Sequence, residues 1–281
     1  MRQARASTPS NKADSSFWRD SALPFIESRT VLDGRRVCYA RHSHDTFSIG
    51  LIDSGASTYL NGDHLCRIEA GTLVLMNPGD VHACNPIQNQ PWAYRMLYVD
   101  AAWIAELQDA LGMPGAGFRR FAPILTRDEP LQAGFRRLHR ELTDPHTDPL
   151  RKQGEAVAFF TLLHERLVVQ PRIDNHATKL QRAAEFIADN YQRPLRLEEI
   201  SQAVAVSPSS LIRGFKKQFG MTPHAYLTNR RVQFARAELR RGRPIAEAAL
   251  AAGFADQAHL QRAFKHLLAA TPGHYRSVPR A

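Results

Sequence analysis

Histidine and cysteine recur in close pairs in the first third of the chain: Cys38, His42-Ser43-His44, His64-Leu65-Cys66 and His82-Ala83-Cys84. In a strand, residues i and i+2 face the same side, so each His-x-His or His-x-Cys pair can present both groups together. Imidazole and thiolate suit zinc and softer metals, which makes His42, His44 and His82 candidate ligands for a divalent cation. The competing chemistry is a small-molecule pocket. Tyr39, His42, His44, Tyr59, His82, Trp92 and Tyr94 combine aromatic faces with a few polar groups, a lining that suits a small organic effector. The cysteines number 3 and all precede residue 85, which argues against a disulfide framework. Cysteine is also commonly no more than a small buried hydrophobe.

The elements that must position these groups are short strands. V-C-Y-A-R-H-S-H, F-S-I-G-L-I-D, S-T-Y-L, H-L-C-R-I, T-L-V-L-M and A-Y-R-M-L-Y-V are β-rich runs, punctuated by Ser54-Gly55, Asn61-Gly62, Ala70-Gly71 and Pro78-Gly79. Asn61-Gly62 is a strong hairpin signal, and strands at this spacing predict a small barrel or sandwich. After Asp100 the period becomes helical, with helices expected over Ala101 to Leu111, Leu131 to Leu142 and Leu150 to Val169. Val157, Phe160, Leu163 and Leu167, with Phe159, give the last of these a broad apolar face. That face fits packing on the barrel or a dimer seam equally well.

A different organisation appears near the C-terminus. Ser207 to Tyr226 and Asp256 to Tyr275 repeat one another at an offset of 49 residues, matching at Leu211/Leu260, Arg213/Arg262, Phe215/Phe264, Lys216/Lys265, Thr222/Thr271, Pro223/Pro272 and Tyr226/Tyr275. A repeat of that kind signals a duplicated supersecondary unit. Ser207 and Asp256 are helix-capping types, and the apolar residues behind each cap recur on one helix face. Shorter apolar runs precede them (Leu197, Ile200, Val204; Ile245, Ala249, Ala252), which completes the helix-turn-helix plan twice. Gly253 suits the second turn, whereas Ala205 and Val206 occupy the first.

The segment from about Ala177 to Arg276 resembles the DNA-binding domain of AraC/XylS-type bacterial transcription regulators. The likeness is carried by R-R-V-Q-F-A-R-A-E-L, I-A-E-A-A-L-A-A-G-F-A-D-Q-A-H-L-Q-R-A-F-K and T-P-G-H-Y-R. Ala205 and Ala269 stand where relatives often carry glycine, so Ala269 should weaken the end of the last recognition helix. The order H-S-H, N-G, then G-T-L-V-L-M-N-P-G-D-V-H resembles the cupin barrel that fronts many such regulators. Its second motif has 6 residues rather than five between Gly71 and Pro78, and the metal-binding Glu of metal cupins has no counterpart.

The expected fold is therefore α+β in two domains. A cupin-like β-barrel followed by helices forms an effector-binding and dimerisation domain over residues 17–170, after a disordered tail at 1–16. A linker at 171–177 leads to an all-α DNA-binding domain at 178–281, with helix-turn-helix motifs at about 195–219 and 244–268. Charge follows the same division. From Asp174 onward there are 17 basic and 8 acidic residues, so nearly all of the chain's net +10 lies in the last third. That is the electrostatic footprint of a polyanion binder.

Once helix packing claims Leu211, Phe215 and Phe219, the first recognition helix is left with Ser209, Ser210, Arg213 and Lys217. The second is left with Gln257, His259, Gln261 and Arg262. Arg pairs with guanine and Gln with adenine, while Ser209, Ser210 and Lys217 suit phosphate. The expected partners are double-stranded promoter DNA, a small-molecule effector, a second copy in a homodimer and, for an activator, RNA polymerase. No catalytic residue is expected, no cofactor beyond the divalent cation considered above, and no membrane partner. The N-terminus lacks the apolar core of a signal peptide, so a cytoplasmic location is expected.

Overall fold

The computed structural model of the protein describes residues 15–113, 117–169 and 178–277. The expected linker and all but the last two residues of the expected tail lie outside them. Those last two, Ser15 and Ser16, belong to a strand, because their backbone pairs with Val31 and Thr30.

The N-terminal domain is one antiparallel sheet built from β1 (Ser15–Arg19), β2 (Ile26–Val31), β3 (Phe47–Asn61), β4 (His64–Glu69), β5 (Leu73–Met76), β6 (His82–Pro86), β7 (Trp92–Val99) and β8 (Leu125–Thr126). The order β1-β2-β7-β3-β5-β8 is completed by β4 and β6, which pair with the far half of β3. β3 therefore runs through both halves of the sheet and wraps it into the barrel-like shell. Ser54-Gly55, expected to separate two strands, is instead an irregularity within this one strand. The register with β7 shifts between Ile52 and Ser54, and Gly55 has φ 71°, the conformation a bulge asks of glycine. Asn61-Gly62 forms the expected hairpin, pairing Asn61 with His64. The run from Val37 to His44 is not a strand; only His42 makes a bridge, to His82. Its backbone is satisfied elsewhere, Tyr39 N–H by the Asn85 side chain and Ala40 N–H by the carbonyl of His266 in the other domain.

Alternation along the strands creates two cores. Phe47, Ile49, Leu51, Leu73, Leu75, Leu97 and Val99 face the helices, while Ile52, Val74, Met76, Tyr94 and Met96 face the inside of the shell. The helices are α1 (Ala101–Ala110), α2 (Glu129–Thr143) and α3 (Pro149–Arg166). Phe159, Phe160 and Leu163 are buried in the helix-facing core, whereas Val157 is 39% exposed. Barrel packing thus accounts for most of the apolar face of α3.

The C-terminal domain is all helical: α4 (Lys179–Asp189), α5 (Leu197–Ala203), α6 (Pro208–Phe219), α7 (Pro223–Arg240), α8 (Ile245–Ala251), α9 (Gln257–Leu268) and α10 (Pro272–Arg276). α5–α6 and α8–α9 are the two helix-turn-helix units. Ser207 accepts from Ser210 N–H and Asp256 from His259 N–H, as their capping types predict. Each unit has its own core, centred on Leu211 and Phe215 in one and on Leu260 and Phe264 in the other, with α7 between them.

Candidate effector pocket and nucleic-acid interface

The inward faces of β3, β5, β6 and β7, closed by the segment before β3, enclose a cavity with about 450 Å³ of space between the atoms, its mouth included. Six of the seven expected effector residues line it: Tyr39, His42, His44, His82, Trp92 and Tyr94. Tyr59 does not. It is fully buried, donating to the Leu75 carbonyl at 2.6 Å and accepting from Asn61 at 2.7 Å, so its role is structural. The sequence reading missed Gly50, Ile52, Val74, Met76, Cys84, Met96 and Tyr98. Period-2 alternation from Tyr94 (Met96, Tyr98) and from His82 (Cys84) could have found three of them. Gly50 has no such signal; a Cβ there would lie 2.6 Å from Met96 Cε.

The three histidines meet at one end of the cavity. Ring centroids are 4.4 Å apart for His42 and His82, 4.8 Å for His44 and His82, and 6.2 Å for His42 and His44. Each Nδ1 lies within hydrogen-bond reach of a backbone carbonyl, at Ala40, Thr46 and Asp80 respectively for His42, His44 and His82. A neutral ring that donates there keeps its Nε2 as an acceptor. Burial holds His42 and His44 well below the usual imidazole range, with further lowering from His82 and Arg236. Burial lowers His82 as well.

The expected metal site is not formed. Among the described residues no group of three or more His, Cys, Asp or Glu side chains is arranged to hold a metal ion. The imidazoles pack as tilted and edge-on rings, and the other members of the constellation are dispersed. Cys38 is exposed, Cys66 half-buried and His64 exposed. Cys84 reaches the cavity, where burial pushes its thiol up to about 12.

Beside His42, on which its ring stacks at 5.5 Å, Tyr39 shares a 2.5 Å hydrogen bond with Tyr94, and Tyr94 is stacked on Trp92 at 4.6 Å. Tyr39 also accepts from Arg29 Nη1 at 2.8 Å. The cavity therefore sets hydroxyl and imidazole groups around an apolar floor of Ile52, Val74, Met76 and Met96.

In the helical domain, Ser209, Ser210, Arg213 and Lys217 on α6 and Gln257, His259, Gln261 and Arg262 on α9 are all exposed. The residues between them that face inward are those the spacing assigned to the core. Both recognition helices thus present the expected polar sets to solvent. His259 is partly engaged at home, edge-on to Phe254 at 5.1 Å.

A buried polar seam joins the domains. Glu27 on β2 accepts from Arg19 Nε at 2.6 Å, from Arg236 Nη2 of α7 at 2.7 Å and from Tyr275 Oη of α10 at 2.7 Å. Burial would raise its carboxyl; Arg236 and Arg19, with hydrogen bonds from Arg19 and Tyr275, instead bring it down to about 2. Asn229 donates to the carbonyl and hydroxyl of Ser43, and Arg230 pairs with Asp45 at 2.7 Å. No local sequence signal pointed to this seam.

A cavity lined by aromatic and histidine side chains in a sheet domain, joined to paired helix-turn-helix units, fits a ligand-binding transcription regulator. Residues 31–160 match the AraC-like ligand binding domain and residues 200–277 a helix-turn-helix domain. The HTH-type regulator YbfI of Bacillus subtilis (strain 168) is 29% identical over 231 residues, 79% of this chain and 81% of its own. The transcriptional activator RhaR of Klebsiella pneumoniae is 22% identical, over 86% of this chain and 89% of its own. The fold is similar to that of ToxT from Vibrio cholerae strain SCE256 with bound unsaturated fatty acid: TM-score 0.56 and 12% identity, covering 94% of this chain and 93% of that one. The chain belongs to the AraC family of transcription regulators.

Proposed function

We propose that this protein is a sequence-specific activator whose barrel cavity holds a small organic effector and whose α6 and α9 read promoter DNA. The observation that carries the reading is the division of labour between the two surfaces. Six expected effector residues converge on one cavity, and all eight expected DNA-reading side chains are exposed on the recognition helices. Neutral imidazole acceptors beside tyrosine hydroxyls favour an effector that both donates and accepts hydrogen bonds from an otherwise apolar body. Arg213 and Arg262 take guanine, Gln257 and Gln261 adenine, and Ser209, Ser210 and Lys217 phosphate.

The reading has no catalytic step, which agrees with the regulators it resembles. It places the protein in the cytoplasm, acting as a homodimer through its N-terminal domain and engaging RNA polymerase at activated promoters. No helix among the described residues is long and apolar enough to cross a membrane.

The test is selection of preferred duplexes from a random pool with the full chain, followed by affinity measurements at fixed salt. Arg262→Ala should lose about 1–3 kcal/mol on the preferred site and relax one base position. An equal loss on scrambled DNA would make Arg262 a phosphate contact, and a pool without enrichment would overturn sequence-specific reading.

A further inference from the structure

The two copies of the repeat end differently. At the 49-residue offset, Gly220, which closes α6, matches Ala269, which closes α9. Both adopt the left-handed conformation, Gly220 with φ 64° and Ala269 with φ 47°. Glycine does so freely, whereas a Cβ meets the neighbouring carbonyl and disfavours the state on the order of tenfold. The last turn of α9 is therefore intrinsically weaker than that of α6, and its free carbonyls need partners.

Those partners come from the N-terminal domain. Arg29 on β2 is 2% exposed; its Nη1 donates to the Leu268 carbonyl at 2.7 Å and its Nη2 to the Ala269 carbonyl at 3.2 Å. Ala40 N–H adds a third bond, to the His266 carbonyl at 3.1 Å. A buried cation at a helix C-terminus also meets the negative end of the helix dipole. The matching end of α6 receives only Arg41 on the Gly220 carbonyl, at 3.3 Å and exposed. The same Arg29 Nη1 donates to Tyr39, which is bonded to Tyr94 in the cavity wall. Arg29 Nε has no hydrogen-bond partner among the described residues, so the hydrogen bonds of the guanidinium go to the α9 carbonyls and Tyr39, with the Phe17 ring 5.0 Å from it.

We propose that Arg29 is a positioning residue for DNA reading: the sensor domain's own C-terminal cap for the second recognition helix, connected to the effector cavity through Tyr39 and Tyr94. This rests on the reading of α9 as a base-reading helix. An occupant that engages the Tyr94 hydroxyl competes for the bond to Tyr39, and Tyr39 in turn shares Arg29 with the helix end. The order of the last turn of α9, and with it the presentation of Lys265 one turn earlier and of Arg262 about two turns earlier, thereby answers to the cavity.

The test needs no effector. Amide hydrogen exchange is followed in the full chain for Leu267, Leu268 and Ala269. Arg29→Met should speed exchange there by about tenfold relative to the wild type, the size of the left-handed alanine penalty. Ala269→Gly should restore most of that protection in the Arg29→Met background while changing little by itself. Tyr39→Phe, which keeps the ring and loses the hydroxyl, should move the same amides by a smaller factor and leave those of α6 unchanged. Should Arg29→Met fail to fold, Arg29→Lys, which keeps the charge but cannot fork between two carbonyls, is measured in the same way.

Unchanged exchange at the end of α9, or acceleration equal with alanine and glycine at 269, overturns the cap. Affinity for the selected duplex is measured in parallel, with Arg262→Ala as control. If Arg262→Ala has no effect on affinity, the base-reading role of α9 fails while the exchange result still decides the cap.

Discussion

Replacing Glu27 with glutamine should uncouple the unfolding of the two domains that its carboxylate joins. The carboxylate is 2% exposed and holds Arg19 from β1 and Arg236 from α7, whose side chains are 12% and 11% exposed. Glutamine keeps the shape and removes the charge, leaving two guanidinium groups buried without a counterion. Removing one partner of a buried pair costs about 3–5 kcal/mol. Linkage gives a comparable figure. A carboxyl lowered from 4.5 to about 2 contributes about 3 kcal/mol at 1.36 kcal/mol per pH unit. Because the folded value lies below the unfolded one, the contribution is complete above pH 4.5 and is lost as pH falls from 4.5 towards 2. Urea unfolding of the full chain at a series of pH values measures it. At pH 7 Glu27→Gln should be less stable by about 3 kcal/mol, with the reader and sensor melting in separate transitions, and the difference should close by pH 2. A deficit under about 1 kcal/mol, or one that stays constant down to pH 2, would refute the assignment of this energy to the carboxylate.

Four further outcomes follow from single residues. Gly253→Ala should destabilise the reader by at least about 2 kcal/mol in thermal melts, since φ is 82° and the new Cβ would lie 2.6 Å from the Gln192 carbonyl oxygen. Ala205→Gly, at φ 51°, should by contrast stabilise by about 0.5–1 kcal/mol. Tyr59→Phe should cost about 1–3 kcal/mol by removing the hydroxyl that donates to the Leu75 carbonyl and accepts from Asn61, without altering the stabilisation produced by any effector found in a thermal-shift screen. His139, lowered from 6.5 to about 4 by burial first and Arg95 second, is neutral in the fold and takes up a proton on unfolding. Its contribution of about 3 kcal/mol is complete above pH 6.5 and lost as pH falls towards 4. His139→Gln should flatten that part of the stability–pH curve.

What the sequence disclosed followed the range of the forces involved. Capping, turn chemistry and helical periodicity act within a few residues, so the helix-turn-helix units, their caps and the solvent-facing polar sets were legible from Ser207, Asp256 and the apolar residues behind them. Aromatic and histidine side chains in the β-rich third likewise gave six cavity residues, although Tyr39, His42 and His44 lie outside any strand. The errors arose where a distant partner decided the outcome. Ser54-Gly55 looks like a turn because glycine there takes φ 71°, but pairing with β7 on both sides keeps β3 continuous. Val37 to His44 has strand composition, yet Asn85 and His266 satisfy its backbone instead of a neighbouring strand. Spacing marked the histidines as a metal set, but it fixes only which side of a strand a ring faces. Ring tilt and the carbonyls at Nδ1 determine where the free nitrogens point.

The interdomain seam had the least sequence signal of any part of the structure. Glu27 and Arg29 sit two residues apart on β2, on one face of one strand. Glu27 reaches Arg236 and Tyr275, Arg29 the carbonyls of Leu268 and Ala269. A strand that none of the β-rich runs in the sequence covered therefore grips the reader domain at α7, α9 and α10. In the sequence, Ala269 appears only as a missing glycine, a small defect in a family pattern. Beside Arg29 the same alanine makes the end of α9 depend on the sensor domain, a dependence that a glycine at 269 would weaken. A departure from a family's pattern is thus informative when the structure shows which distant group has taken over the missing residue's work.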